Sequence, residues 1–337
     1  MSESNKVVVL GGGSFGVALA KLCAQKSAEV NLWARDPYVC QGVNQARHHP
    51  TRLSHILLPA NITATTNLEQ ALDDADFVIL ALPMAALLPV LLAAKDLLAP
   101  HAILVSTAKG VVRQSLSLPC DIVRQALPAT VSARACYLSG PSFALELALD
   151  LPTALTLASA DQQAAMRFQD RFASEAFRLY RSDDVIGVCV GGALKNVIAI
   201  AAGASFGLGL GRNAMAALIT RGLLEITRLA VCMGGRAETL SGLSGAGDLI
   251  LSCTDDMSRN HRLGMLLSDG MDIENALLKI GSVVEGSETT KSIPALAHKY
   301  GIELPISMAV YRVLYEKEDV KSAMYSLLAR KQKEEIG

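Results

Sequence analysis

The first candidate for chemistry is a lysine where lysines are rare. The stretch Val188-Cys189-Val190-Gly191-Gly192-Ala193-Leu194-Lys195-Asn196-Val197-Ile198-Ala199-Ile200 reads as a helix apolar nearly all round, with Lys195 in its middle. An ammonium with apolar turns on both sides has no short path to water. Buried alone it is costly, so it either finds a carboxylate or releases its proton more readily. Both outcomes suit a group that moves a proton near neutral pH. The plain alternative is a lysine on a narrow solvent face of a core helix.

Other candidates surround it in the same half of the chain. Asp248 ends a glycine-rich bend, Gly242 to Gly247. It could cap the helix that follows, pair with Lys195 or bind a substrate hydroxyl. Ser258-Arg259-Asn260 offers a hydroxyl, a guanidinium and an amide at a helix start, a good phosphate cradle. An N-cap serine with exposed neighbours would look the same. Val283-Val284-Glu285-Gly286 offers an apolar edge and a carboxylate near a cofactor. The charges Arg221, Glu225 and Arg228 on one helix read as a solvated or ion-paired face. His48, His49 and His55 read as a surface loop, and no metal site is expected.

The elements that must position these groups begin with Lys6-Val7-Val8-Val9-Leu10, a continuous apolar run that suits a parallel strand covered on both faces. Gly11, Gly13 and Gly16 follow as G-x-G-x-x-G, and a helix starts directly after. The first glycine permits the tight turn, the second lets a pyrophosphate approach the backbone, and the third lets helix and strand pack closely. The helix start adds free N–H groups. Placed between strand and helix, the motif points to a dinucleotide.

The second strand, Glu29–Ala34, ends at Arg35-Asp36. An acidic residue there holds the ribose of NAD, whereas an arginine accepts the 2′-phosphate of NADP. Arg35 tilts the expectation towards NADPH, and Asp36 keeps NAD open. Asp36 could equally be a helix cap before Pro37, with Arg35 on the surface.

Strands are expected at 62–65, 77–82, 102–107 and 135–138, with outer strands at 152–158 and 177–181 and a helix near 162–173. Lys109 and the turn Ser139-Gly140-Pro141-Ser142 fall at strand ends, where ligands gather in such sheets. After Asp184 the pattern turns helical. The expected architecture is a doubly wound Rossmann-type α/β domain over 1–185 and an all-α domain over 186–337.

Composition narrows the classes. The 337 residues are 51% hydrophobic and 19% charged, with a net charge of -1, so no basic surface asks for nucleic acid. Aromatics are 4%, too few for a base-stacking platform. The seven cysteines show no C-x-x-C pair and read as small buried residues in a reducing compartment, hence a cytoplasmic protein. The polar start Met1–Lys6 is not expected to be a signal peptide. Phe77–Ala94 carries no charge, but Pro83 and Pro89 make it a strand, a turn and a helix rather than a membrane span. A homodimer through the helical half is the expectation from its apolar excess.

These residues together resemble the bacterial NAD(P)-dependent glycerol-3-phosphate dehydrogenases, from the first strand to about Pro305. The resemblance rests on Gly11–Gly16, Ser139 to Ala144, Gly191 to Asn196, Gly245 to Asp248, Ser258 to Asn260 and Val284-Glu285-Gly286. It implies reversible reduction of dihydroxyacetone phosphate to sn-glycerol 3-phosphate, which feeds phospholipid synthesis. It implies Lys195 as general acid/base. Lys109, Gly140, Ser142, Lys195, Asp248, Ser258, Arg259 and Asn260 would hold substrate. Ser14, Phe15, Arg35, Lys109, Ala144, Arg259, Val283 and Glu285 would contact the cofactor beside the glycines. Two stretches depart from the family pattern: Met84-Ala85 stands for a usual polar pair, and Arg52-Leu53-Ser54 for a usual Tyr-Leu-Pro. The sequence leaves two rivals, a hydroxy-acid dehydrogenase and a nucleotide-sensing protein without catalysis.

Overall fold

The computed structural model describes residues 6–329. Met1–Asn5, most of the polar start, lie outside them. Among the described residues two compact units are present, one running up to Lys109 and again over Ser117–Cys189, the other of Gly110–Leu116 with the chain from Val190 onwards. The short return of 110–116 to the second unit has no counterpart in composition. It shows only in contacts such as Ser292 Oγ donating to the Val111 carbonyl at 3.4 Å.

The first unit is built on β1 (Lys6–Leu10), β2 (Glu29–Trp33), β3 (Ile62–Thr65), β4 (Phe77–Leu80), β5 (Ile103–Ser106), β6 (Cys136–Ser139), β7 (Thr153–Ser159) and β8 (Phe177–Ser182). They form one sheet in the order β3-β2-β1-β4-β5-β6-β7-β8. Its first six strands are parallel, and the order reverses at β1, the topological switch point of a dinucleotide fold. β7 runs antiparallel to β6 and parallel to β8. Val7, Val8, Val9 and Leu10 are all fully buried, so both faces of β1 are covered. Phe77, Phe168 and Phe172 meet edge-on or tilted in the core, with ring centroids 4.6–5.7 Å apart. Phe77–Ala94 resolves into β4 and a helix, Met84–Ala94, with Pro89 inside it.

The described part of the second unit is helical. Its central helix, Val185–Gly207, starts in the first unit and continues into the second. An 18-residue window of it has a mean hydropathy of 2.0, which would suit a membrane span, but 89% of that window is buried inside the protein. Of the seven cysteines only Cys232 is exposed.

Of the two readings of the Arg221, Glu225 and Arg228 face, the solvated one fails for Glu225. Glu225 is not on a solvated face; only 3% of it is exposed. Its carboxylate accepts from Ile306 N at 2.6 Å, and from Ser307 N at 3.0 Å and Ser307 Oγ at 2.9 Å. Those N–H groups open the helix Pro305–Tyr315, where Leu304 supplies no side-chain cap. Glu225 thus caps, from another helix, donors that a helix start leaves unsatisfied, and its charge suits the positive end of the dipole.

Candidate active site

In the first unit the glycine turn has the form a dinucleotide requires. Gly11 has φ of +130°, and a Cβ there would overlap the Ala81 carbonyl. A Cβ on Gly16 would overlap the Gly11 carbonyl, so the helix rests directly on the turn. Gly13 has nothing within 4 Å of where its Cβ would be, so the middle of the motif faces open space. The helix Ser14–Ala24 begins there with no side-chain cap, and its first bond runs from Val17 N to the Gly13 carbonyl. The N–H groups of Ser14, Phe15 and Gly16 therefore have no partner within the helix. A pyrophosphate fits this cradle. Phe15 and Ala144 both pack on the core of this unit. Arg35 is exposed just past β2. Asp36 accepts from Tyr38 N at 2.9 Å and caps the helix Pro37–Gln41.

Beyond β5 and β6 lie Lys109 and the 139–144 turn. Lys109 Nζ donates to the Gly140 carbonyl at 3.4 Å, and Ser142 Oγ donates to the same oxygen at 3.1 Å. Gly140 holds φ of +139°, and Ala144 opens the short helix Ala144–Ala148.

The second unit carries the lysine. Lys195 is 8% exposed and Asp248 2%. Lys195 Nζ donates to Asp248 Oδ1 at 2.7 Å and to Ser252 Oγ at 2.6 Å. The solvent-face alternative for Lys195 is thereby excluded. Asp248 is the first residue of the helix Asp248–Thr254 rather than its cap, which is Gly247. Ser252 was not anticipated, although its spacing of four from Asp248 puts both on one helix face. Burial pushes the neighbouring Cys253 thiol up to about 12, so it stays protonated beside the pair.

Ser258, buried, caps the helix Arg259–Ser268 by accepting from His261 N at 3.3 Å. Asn260 Nδ2 donates to Asn196 Oδ1 at 2.8 Å, and Asn260 Oδ1 accepts from Gly286 N at 2.9 Å. Asn196 is thus a second unanticipated partner. Arg259 Nη1 donates to the Val283 carbonyl at 2.7 Å. Val283 is exposed and Glu285 half-buried, at the start of the helix Glu285–Thr290. Lys195, Asp248, Ser258, Arg259, Asn260, Val283 and Glu285 therefore belong to one unit. Gly11–Gly16, Arg35, Lys109, Gly140, Ser142 and Ala144 belong to the other.

The Lys195 helix and the Ser258–Asn260 helix meet backbone to backbone. A Cβ on Gly203 would overlap the His261 carbonyl oxygen, with its carbon 2.7 Å away. Gly203→Ala should destabilise the protein by ~1–3 kcal/mol through overpacking. It should also raise KM for a phosphorylated substrate by straining the Asn196–Asn260 link. Urea unfolding and steady-state kinetics read both effects; neither moving would show that this crossing is not tight.

The sequence matches two family descriptions. Residues 6–165 match the N-terminal part of NAD-dependent glycerol-3-phosphate dehydrogenase, and residues 184–325 its C-terminal part. A glycerol-3-phosphate dehydrogenase [NAD(P)+] of Myxococcus xanthus is 44% identical over 328 residues, 97% of this chain and 98% of that one. Its counterpart in Clostridium botulinum is 41% identical over 332 residues, 98% and 99% of the two chains. The crystal structure of a glycerol-3-phosphate dehydrogenase from Coxiella burnetii superposes with a TM-score of 0.91 at 37% identity, over 97% of this chain and 99% of that one.

Proposed function

The chain belongs to the NAD-dependent glycerol-3-phosphate dehydrogenase family, and from that premise we propose how its residues divide the work. The reaction is reversible reduction of dihydroxyacetone phosphate to sn-glycerol 3-phosphate with NADPH or NADH. The observation that carries the mechanism is the buried Lys195–Asp248 pair, 2.7 Å from nitrogen to oxygen.

A reduced nicotinamide, when bound by the residues named below, would be the source of hydride for the ketone carbon. Lys195 gives a proton to the ketone oxygen and takes it back in the reverse direction. Asp248 and Ser252 fix the direction of the ammonium, and Asp248 offsets its charge in a dry setting. Ser258, Arg259 and Asn260 hold the phosphate at a helix start, which suits a dianion. One Asn260 N–H is spent on Asn196, and the other is assigned to the phosphate. Lys109, Gly140 and Ser142 complete the substrate contacts. Binding energy from the phosphate then orients a small ketone that offers little else to grip.

Gly11, Gly13, Ser14, Phe15 and Gly16 hold the pyrophosphate side of the cofactor. Ala144, Lys109, Arg259, Val283 and Glu285 contact the rest. Asp36 is committed to its helix cap while Arg35 is open, which tilts the choice towards NADPH. A cytoplasmic homodimer without membrane insertion, supplying glycerol 3-phosphate for phospholipids, completes the reading.

The test is NADPH and NADH oxidation followed by absorbance with dihydroxyacetone phosphate, and with 2-oxo acids as controls. Turnover with the phosphorylated ketone alone is expected. Turnover with a 2-oxo acid and none with the ketone phosphate would make the enzyme a hydroxy-acid dehydrogenase. Cofactor binding without any turnover would make the protein a nucleotide sensor.

A further inference from the structure

The histidine loop lies at the surface, as its composition suggests, but one of its rings turns inward. His48 is half-buried and His55 exposed, but His49 is only 2% exposed. Thr51 N and Arg52 N both donate to His49 Nδ1, at 3.1 and 3.0 Å. Two amide donors on one ring nitrogen require its lone pair, so the ring proton sits on Nε2. That Nε2 lies 2.9 Å from the carbonyl oxygen of Gly12, inside the glycine turn, and donates to it. Arg47 and Leu53, which flank the histidine, hold φ of +54° and +50°, a region that bulky residues avoid. The loop keeps a strained backbone that wraps around this one ring.

We propose that His49 is a positioning residue for the cofactor. Its neutral ring fixes the Gly12 peptide, and with it the aim of the N–H groups at Ser14, Phe15 and Gly16. It sets dinucleotide affinity and takes no part in hydride or proton transfer. This rests on reading the glycine turn as a dinucleotide site. The role needs the neutral ring, because a protonated Nδ1 cannot accept from Thr51 and Arg52. Burial lowers the pKa from its ordinary 6.5, opposed by the Gly12 carbonyl; Arg52 lowers it, Asp36 raises it and His48 lowers it. The sign follows: the brace is intact at neutral pH and is lost as pH falls through the lowered value, so cofactor binding weakens in acid.

Direct titration of NADH by fluorescence tests this on the whole protein. NADH is used because it lacks the 2′-phosphate, a group that itself titrates near pH ~6. His49→Asn keeps an acceptor for the loop N–H groups but does not reach Gly12, and should weaken binding ~5–10-fold, about one hydrogen bond. His49→Gln reaches Gly12 with an amide N–H and should restore most of the affinity. With saturating NADH and ketone phosphate, kcat should stay near wild type in both variants.

As pH falls from neutrality through the lowered value, the wild-type Kd should rise and that of His49→Gln should not. Asp36, Arg52 and His48 are present in both proteins, so the difference between the curves belongs to His49. Equal affinities in wild type and folded His49→Asn, or superimposable pH curves, would overturn the proposal. If wild type itself fails to bind NADH, the reading of the turn falls first and this inference with it.

Discussion

Lys195→Met lowers kcat by ~10²–10⁴, the range by which a positioned general acid or base speeds a reaction. Methionine keeps most of the aliphatic volume and carries no proton. The substitution also strands Asp248, 2% exposed, as a buried charge without its partner. Breaking a buried pair on one side costs ~3–5 kcal/mol, so part of any activity loss could be loss of fold. Lys195→Arg separates the two effects. It keeps a cation for Asp248 and Ser252, but its guanidinium does not give up a proton at any working pH. The Arg variant should melt near the wild-type temperature, bind NADH as before and still turn over poorly. A kcat within about twofold of wild type in either variant would remove Lys195 from the chemistry.

The second large effect is on stability. Glu225→Ala should cost ~3–5 kcal/mol in urea unfolding, because it leaves two buried backbone N–H groups and a hydroxyl without an acceptor. No solvent reaches the site readily, since Ser307 is fully buried and Ile306 nearly so. The helix Pro305–Tyr315 would also lose a negative charge at its positive end. Glu225→Gln keeps one carbonyl acceptor and should cost roughly half as much. A loss below about 1 kcal/mol for the alanine variant would mean that the helix start is satisfied by other means. Kinetic constants measured on the folded fraction should change little, since Glu225 is given no role with substrate or cofactor.

These two residues show how far the sequence could be read. Both are charges in apolar helices. Lys195 announced itself because its neighbours on every side are apolar, so any rotation of that helix buries it. Glu225 did not, because Arg221 and Arg228 lie one turn away on either side and a charged stripe normally faces water. What decided its burial is the helix start Pro305–Ser307, some 80 positions further along the chain. Likewise His48, His49 and His55 are equivalent by composition. Only the folded loop turns one of them onto the Gly12 carbonyl.

Local order was determined by the sequence alone. Strands buried on both faces must be continuous apolar runs, so β1, β4 and β5 stood out, and Gly16 of the G-x-G-x-x-G turn is required by the Gly11 carbonyl only five positions away. The helical character after Asp184 was equally plain. The tertiary structure decided the pairings: Asp248 and Ser252 on Lys195, Asn196 on Asn260, the antiparallel step from β6 to β7, and segment 110–116 grouping with the second unit. The physical reason is that periodicity specifies which face of an element avoids water. A polar group's partner depends instead on which distant backbone or side chain the packing brings within hydrogen-bonding distance.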